Sequence, residues 1–265
     1  MAVTTSQDVL KLFKVTSLAE AVFQRWISDT SKAEVVPHVM EHRTSVVYDL
    51  TPASVESVCR ATAHALGNVK RVVAERERAI VDWHPPFAFT HTLHYALETL
   101  GHLPTWQEFS VFARDDAKGH HMLWGPAIRV ASDVHHAWGG PSWDDAWDGV
   151  RWRVGNAYYS FLREIYVVAH LRASGLDVRV HPLADALFRV DFWSGRTACS
   201  LLIKNAKFKE GDQGRKIPTD RILEGAEPGF RFHKIQLEPA TEFGVVRLPS
   251  SEDIHRVADV LRASP

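Results

Sequence analysis

Three side chains in the second half of the chain have the types and the spacing to act together on a metal ion. Asp191 lies in a segment with the apolar pattern of a strand, and Asn205 and Lys207 follow it at the end of a second apolar strand. A strand repeats every two residues, so Asn205 and Lys207 share one face. Carboxylate and amide oxygens suit Mg²⁺, and a nearby amine can stabilise negative charge that develops during hydrolysis. Metal-assisted hydrolysis is therefore the chemistry that these residues could perform.

A fourth side chain, Glu164, lies in the helix that should precede these strands. Residues 152–173 have the apolar spacing of one long amphipathic helix, and Gly175 follows its predicted end. Glu164 lies roughly 60° from the centre of the apolar stripe on such a helix. A carboxylate at that edge can face the structure that the helix covers, rather than solvent.

The remaining elements of the second half follow in a recognisable order. Strands are predicted over residues 176–182, 186–193, 197–208, 232–238 and 244–248, and Ser250 should cap a final helix that ends near residue 263. A basic loop that contains glycine, over residues 209–216, should follow the strand predicted over residues 197–208. The second half is therefore predicted to form a sheet flanked by helices.

The elements follow one another as a helix, a hairpin with an acid, a strand with Asn205 and Lys207, a helix and a strand. This order resembles the PD-(D/E)XK superfamily, the restriction-endonuclease-like nucleases. The resemblance covers about residues 150–250. It implies that Asp191 is the principal ligand of Mg²⁺ or Mn²⁺, that Glu164 and the amide oxygen of Asn205 are further ligands, and that Lys207 positions the attacking water. Asn205 stands where the family has a carboxylate, which should weaken metal binding. Val190 replaces a proline that has no chemical role.

The resemblance implies a metal-dependent endonuclease that hydrolyses DNA in restriction, phage defence or a mobile element. Basic residues near the site would contact the phosphate backbone of DNA, namely Arg189, Arg196, Lys209, Arg215 and Lys216. An alternative is a catalytically inactive, nuclease-like subunit that binds DNA or a partner protein in a larger complex.

The first half is predicted to be mostly helical, and its function is less clear. A helix over 92–100, a turn at 101–104 and a helix over 106–113 have the outline of a helix-turn-helix, with Thr105 and Glu108 as a capping box. Trp106, Gln107 and Ser110 would lie near the exposed side of the second helix, which could enter the major groove of DNA. A DNA-binding regulator is thus a further alternative, and a plain helical hairpin would have the same pattern.

Composition and charge limit these alternatives. The 265 residues include 31 Lys and Arg against 32 Asp and Glu, which excludes a protein that coats nucleic acid through bulk charge. Residues 151–265 hold 18 basic against 14 acidic side chains and residues 1–150 hold 13 against 18, so the halves carry about +4 and −5. This shift predicts two domains, a helical partner-binding domain over 1–149 and a nuclease-like domain over 150–265. The first of these is the acidic half of the chain, and we expect it to face a partner protein. The expected fold class is α/β or α+β.

Two cysteines and the absence of a long apolar segment set the expected compartment. Cys59 and Cys199 cannot form a disulfide framework, and no apolar run approaches the roughly 18–20 residues that span a bilayer. The sequence therefore predicts a cytoplasmic protein without a membrane partner.

Overall fold

A computed structural model describes residues 2–69, 78–203 and 217–263. The chain combines helices with several small sheets, as the expected α+β class requires. It forms two compact units. The sheet unit comprises Met1–Glu56, Arg163–Phe243 and Arg247–Pro265, and the helical unit comprises Ser57–Leu162 and Gly244–Val246.

The described helices and strands are numbered in chain order. The helices are α1 (Ser6–Phe13), α2 (Ser17–Ile27), α3 (Val35–Glu41), α4 (Pro52–Ala61), α5 (Arg78–Val81), α6 (Phe89–Leu100), α7 (Trp106–Asp115), α8 (Gly125–His136), α9 (Trp143–Ala173), α10 (Thr219–Ile222) and α11 (Ser251–Arg262). The strands are β1 (Thr4–Thr5), β2 (Arg43–Thr44), β3 (Val178–Arg179), β4 (Phe192–Ser194), β5 (Thr197–Ile203), β6 (Arg231–Leu237), β7 (Pro239–Phe243) and β8 (Val246–Pro249).

The main sheet has four strands in the order β3-β4-β5-β6. Strands β3, β4 and β5 pair antiparallel, and Gly195, at φ 54°, forms part of the tight turn between β4 and β5. Strand β6 pairs parallel to β5 along seven residues, from Thr197 opposite Arg231 to Ile203 opposite Leu237. A parallel pair needs a crossover connection, and α10 lies in that connection. The smaller strands form two separate pairs, β1 with β2 and β7 with β8.

The predicted strand over residues 186–193 is wrong in its first part. Residues Ala184–Phe188 form a π-helical turn, and the strand begins only at Phe192. Arg189 then adopts a left-handed φ of 56°, which an extended strand cannot contain. The apolar composition of this segment therefore reflects a buried helical turn.

Other predicted elements agree more closely. The long helix exists but begins at Trp143, before the predicted start at residue 152. Strand β5 begins at Thr197 as predicted, and its predicted continuation beyond Ile203 lies outside the described residues. Helix α11 has Ser250 as its N-cap, since the Ser250 hydroxyl accepts from the Asp253 N–H. Helices α6 and α7 and the Thr105–Glu108 capping box were also predicted.

The predicted boundary between residues 149 and 150 falls inside α9, and the compact units divide the chain elsewhere. Residues 1–56 belong to the sheet unit because their apolar side chains complete its core. The fully buried Phe13 ring lies 5.5 Å from Phe188, 5.3 Å from Trp193 and 5.4 Å from Phe230, measured between ring centroids. The composition shift near residue 150 therefore does not coincide with a break in packing.

None of the helices in the described parts of the chain is long and apolar enough to cross a bilayer.

Truncation of Phe13 should test whether the N-terminal segment is part of the sheet unit. We expect Phe13→Ala to lower the free energy of unfolding by about 3–5 kcal/mol, because it leaves a cavity among three aromatic rings. Phe23→Ala is the control, since Phe23 is only half-buried and should cost less. Urea unfolding of both variants measures the difference. Equal, small losses would show that α1 is not part of this core.

Candidate active site

The backbone of β5 holds Asp191 in place. The Asp191 N–H donates to the carbonyl oxygen of Cys199 at 3.0 Å, which extends the antiparallel pairing of β4 and β5. The Asp191 carboxylate accepts a hydrogen bond from the Leu201 N–H, with an oxygen-to-nitrogen distance of 2.5 Å. Both the main chain and the side chain of Asp191 are therefore tied to the strand that leads towards Asn205 and Lys207.

Glu164 from α9 and Asp185 from the π-helical turn share the surroundings of Asp191, and all three side chains are half-buried. Burial, and then the neighbouring Asp185, raises the pKa of Glu164 to about 8. Burial, followed by Glu164 and Asp185, also raises the pKa of Asp191 well above its usual range, although the Leu201 hydrogen bond opposes this. Asp185 therefore disfavours ionisation of both Glu164 and Asp191, and Glu164 disfavours ionisation of Asp191.

Unusual backbone geometry separates Asp185 from Asp191. The π-helical turn ends at Arg189, whose φ of 56° is rare for a residue other than glycine. The Arg189 carbonyl accepts hydrogen bonds from the hydroxyls of Ser200 at 3.0 Å and Thr219 at 3.2 Å, which hold this conformation. Such strain costs of order 1–3 kcal/mol and is concentrated at functional sites.

Cys199 lies beside Asp191 and has no role as a nucleophile in this geometry. Burial, and then the Asp191 carboxyl group, raises the pKa of the Cys199 thiol to about 12. A reactive cysteine needs its thiolate form near neutral pH. The chemistry of this site therefore depends on its carboxyl groups.

Two of the four predicted catalytic residues, Glu164 and Asp191, are brought together by the fold. Asn205 and Lys207 lie outside the described residues, as do Lys209, Arg215 and Lys216. Asp185 was not predicted as part of the site. Its sequence signal was weak, because the helical turn that carries it has the apolar composition of a strand.

The two predicted DNA contacts that are described differ in their surroundings. Arg189 lines an open groove that also contains Arg25, Lys32 and Asp29, and the Lys32 ammonium group pairs with the Asp29 carboxylate at 2.6 Å. The guanidinium of Arg196 stacks on Phe230, 4.0 Å from its ring centroid, and donates to the Gly229 carbonyl at 3.2 Å. Arg196 thus has a packing role, whereas Arg189 lies in a basic groove.

Gln107 and Ser110, two of the three residues predicted for DNA reading in α7, make local contacts. The side-chain amide of Gln107 accepts from the Ala63 N–H at 2.8 Å and donates to the Ala61 carbonyl at 3.1 Å. Ser110 donates to the Trp106 carbonyl at 2.7 Å. Gln107 therefore caps the end of α4.

The donor chemistry of the acidic site fits a hard divalent cation, because carboxylate oxygens are the ligands that Mg²⁺ prefers. A bound cation would also relieve the repulsion among Glu164, Asp185 and Asp191. Within the described ranges, no three His, Cys, Asp or Glu side chains form a group that could hold a metal ion. The predicted ligand Asn205 lies outside those ranges.

No protein family model matches the chain, and neither a curated protein nor a solved structure is significantly similar to it.

The raised pKa of Glu164 predicts a dependence of stability on pH. Between its usual pKa of 4.5 and its folded pKa of about 8, the folded state binds more protons than the unfolded state. The free energy of unfolding should therefore decrease as pH rises through this range. We expect Glu164→Gln to flatten that decrease, because the amide does not titrate and no longer repels Asp191.

Urea unfolding at several pH values, without divalent metal, measures this effect. Glu252→Gln is the matched control, since Glu252 is exposed in the first turn of α11. It should follow the unmodified protein at every pH. The electrostatic description of the site is incorrect if Glu164→Gln also follows it.

Proposed function

We propose that the protein is a Mg²⁺-dependent endonuclease that hydrolyses phosphodiester bonds in DNA. One observation carries the proposal: Glu164, Asp185 and Asp191 share a half-buried site next to the strand that leads to Asn205 and Lys207. Burying three like charges together is unfavourable unless a cation or protons offset the repulsion. A catalytic metal site gives a reason for this arrangement, and Asn205 would have to complete it, because the described side chains alone form no group that could hold a metal ion.

The order of elements also supports a PD-(D/E)XK-like fold. Helix α9 precedes β3 and β4, Asp191 immediately precedes β4, β5 leads towards the Asn-x-Lys sequence, and α10 and β6 follow. This is the order that the family resemblance implies, and the four strands are neighbours in one mixed sheet. The restriction-endonuclease-like architecture remains part of the proposal.

Each residue would have a distinct task. Asp191 and Glu164 would hold the cation, with the amide oxygen of Asn205 as a neutral ligand. A bound Mg²⁺ supplies charge neutralisation at the phosphate and lowers the pKa of a coordinated water. Lys207 would orient the attacking water and stabilise the negative charge that develops on the phosphate. Asp185 would add negative charge that favours cation binding.

The basic groove supports DNA as the substrate, because Arg25, Lys32 and Arg189 outnumber its one acidic residue, Asp29, which pairs with Lys32. These side chains belong to the sheet unit, as do Glu164 and Asp191. Phosphate contacts of this kind give affinity that does not depend on sequence and that falls with salt. Lys209, Arg215 and Lys216 would add to them.

A restriction, phage-defence or mobile-element role would follow from this activity. We place it in the cytoplasm, because both cysteines are buried free thiols. The acidic N-terminal half would bind a partner protein.

One specific observation favours an inactive, DNA-binding subunit as the second candidate. Asn205 replaces an anionic ligand of the family, which removes one negative charge from a site that must attract a cation. An amide oxygen is a weaker ligand of Mg²⁺ than a carboxylate. In this case the carboxyl groups would be remnants and the basic groove would perform the function.

Plasmid cleavage separates these candidates. Purified protein with Mg²⁺ or Mn²⁺ should nick or cut plasmid DNA, and EDTA should stop it. We expect Asp191→Asn and Lys207→Ala each to reduce the rate by about 10²-fold or more, because each removes a ligand or a charge used in the reaction. Glu252→Gln should cleave like the unmodified protein.

Asn205→Asp tests the role of the substituted residue. If Asn205 is a weak ligand, a carboxylate at that place should maintain or increase cleavage at limiting Mg²⁺. Cleavage that survives Asp191→Asn and Lys207→Ala would overturn the site assignment. The absence of metal-dependent cleavage by both the unmodified protein and Asn205→Asp would favour the inactive subunit.

A further inference from the structure

The helical unit contains a cavity of about 200 Å³ with aromatic walls. Helices α7, α8 and α9 and the π-helical turn His120–Trp124 enclose it. Three indole rings form much of its lining, those of Trp106, Trp124 and Trp147, and Phe109 packs behind them. All three indoles are half-buried, so each retains surface that a ligand can cover.

The indole walls are held in fixed orientations. Trp147 meets the edge of Trp124 at 5.2 Å and stacks on Trp143 at 6.2 Å with an interplanar angle of 10°. Trp106 is supported by Tyr158, whose ring centroid lies 5.4 Å away. A binding site whose rings are already oriented loses little conformational entropy when a ligand binds.

A π-helical turn brings Trp124 to this cavity. Residues His120–Trp124 form the turn immediately before α8. π-helical turns are rare in proteins as a whole, but many of those that occur lie at functional sites. Because the turn ends at Trp124, it sets the position of this residue at the start of α8 and at the cavity.

Two polar side chains complete the lining. The Ser110 hydroxyl donates to the Trp106 carbonyl at 2.7 Å, so its oxygen can still accept a hydrogen bond from a ligand. Arg151 donates from Nε to the Ala65 carbonyl at 3.0 Å, which fixes its guanidinium group. A Cβ on Gly67 would lie 2.5 Å from that guanidinium group, and the φ of Gly67 is 56°. Glycine at residue 67 therefore leaves room for the guanidinium group of Arg151, which is one of the lining residues.

These features select one kind of ligand. Aromatic cages can bind quaternary ammonium groups, but the Arg151 charge opposes a cation. A flat, neutral or anionic ring with hydrogen-bonding edges suits indole walls, a hydroxyl and a guanidinium group. An apolar cavity of roughly 150 Å³ accommodates benzene, so about 200 Å³ is enough for a heteroaromatic base.

We infer that this pocket binds a nucleobase. The base can belong to a single-stranded or extruded nucleotide of DNA or to a free nucleotide, since the stacking chemistry is the same. All the residues of the pocket lie in the helical unit, so the inference goes beyond the proposed nuclease activity and does not require it.

Binding to an oligonucleotide with and without bases tests the inference. Fluorescence anisotropy of the full-length protein in EDTA would use a labelled single-stranded oligonucleotide and an abasic oligonucleotide of equal length. The abasic strand keeps the phosphates that the basic groove would contact. We expect the strand with bases to bind at least about tenfold more tightly, and Trp147→Ala to remove most of that difference.

A second variant keeps the test decisive if Trp147→Ala does not fold. Ser110→Phe removes no ring and fills the space at a half-buried residue of the lining, so it should also abolish the preference for bases. Trp138→Ala is the matched control, because Trp138 is fully exposed and lies outside the cavity. It should keep the preference.

Competition by nucleoside monophosphates distinguishes the two sources of the base. If a monophosphate displaces the oligonucleotide, and Ser110→Phe weakens this displacement, the ligand is a free nucleotide. If no monophosphate displaces the oligonucleotide, the ligand is a base within DNA. Equal binding of abasic and base-containing strands, together with no effect of Ser110→Phe on monophosphate binding, would overturn the inference. Asp191→Asn should keep the preference for the strand with bases, whatever its overall affinity for DNA, so loss of cleavage and loss of base binding are separate results.

Discussion

Repulsion among three half-buried carboxyl groups is the constraint on which this account of the protein depends. Glu164, Asp185 and Asp191 come from a helix, a π-helical turn and the start of a strand. Asp185 raises the free energy of ionising the other two, and Glu164 raises that of Asp191. Two hydrogen bonds with β5, one donated by the Asp191 N–H and one accepted by its carboxylate, hold Asp191 despite that cost. Arg189 lies between Asp185 and Asp191 and has a left-handed backbone conformation. The hydroxyl groups of Ser200 and Thr219 donate to its carbonyl oxygen and hold the chain there in place. The local structure is thus built to maintain an electrostatically unfavourable group.

The same constraint explains why the sheet unit draws on distant parts of the chain. A half-buried acidic group needs rigid surroundings, and the four-stranded sheet alone has two faces to cover. Phe13 from the N-terminal segment packs against Phe188 and Trp193, which flank the segment that carries Asp191. The core therefore forms from residues separated by most of the sequence.

Sequence patterns could predict the elements whose periodicity is regular. The apolar stripe of α9 predicted that Glu164 lies at the edge of a buried face, and Glu164 is half-buried. The turn at Gly195 and the strand β5 were also predictable. The turn Ala184–Phe188 was not, because its apolar residues are compatible with a strand and a π-helical turn has no simple sequence signature. Asp185 was missed for that reason.

The helical unit shows a related limit. Gln107 and Ser110 lie on α7 as the helix-turn-helix pattern predicted, but Gln107 caps α4 and Ser110 lines a cavity. A hydrophobic pattern specifies which residues form a helix, whereas the partner of its polar face depends on segments far away in sequence. The change in charge near residue 150 shows the same limit. It falls inside the continuous helix α9 and does not mark where that helix ends.

Direct measurement of metal binding tests the central claim, that the carboxyl groups around Asp191 form a divalent-cation site. Mn²⁺ can be titrated into the full-length protein near neutral pH and followed by calorimetry and by the electron paramagnetic resonance signal of free Mn²⁺. The account predicts a saturable site that Asp191→Asn removes, that Asn205→Asp strengthens and that Glu252→Gln leaves unchanged. An absence of saturable binding, or binding that Asp191→Asn does not alter, would contradict it.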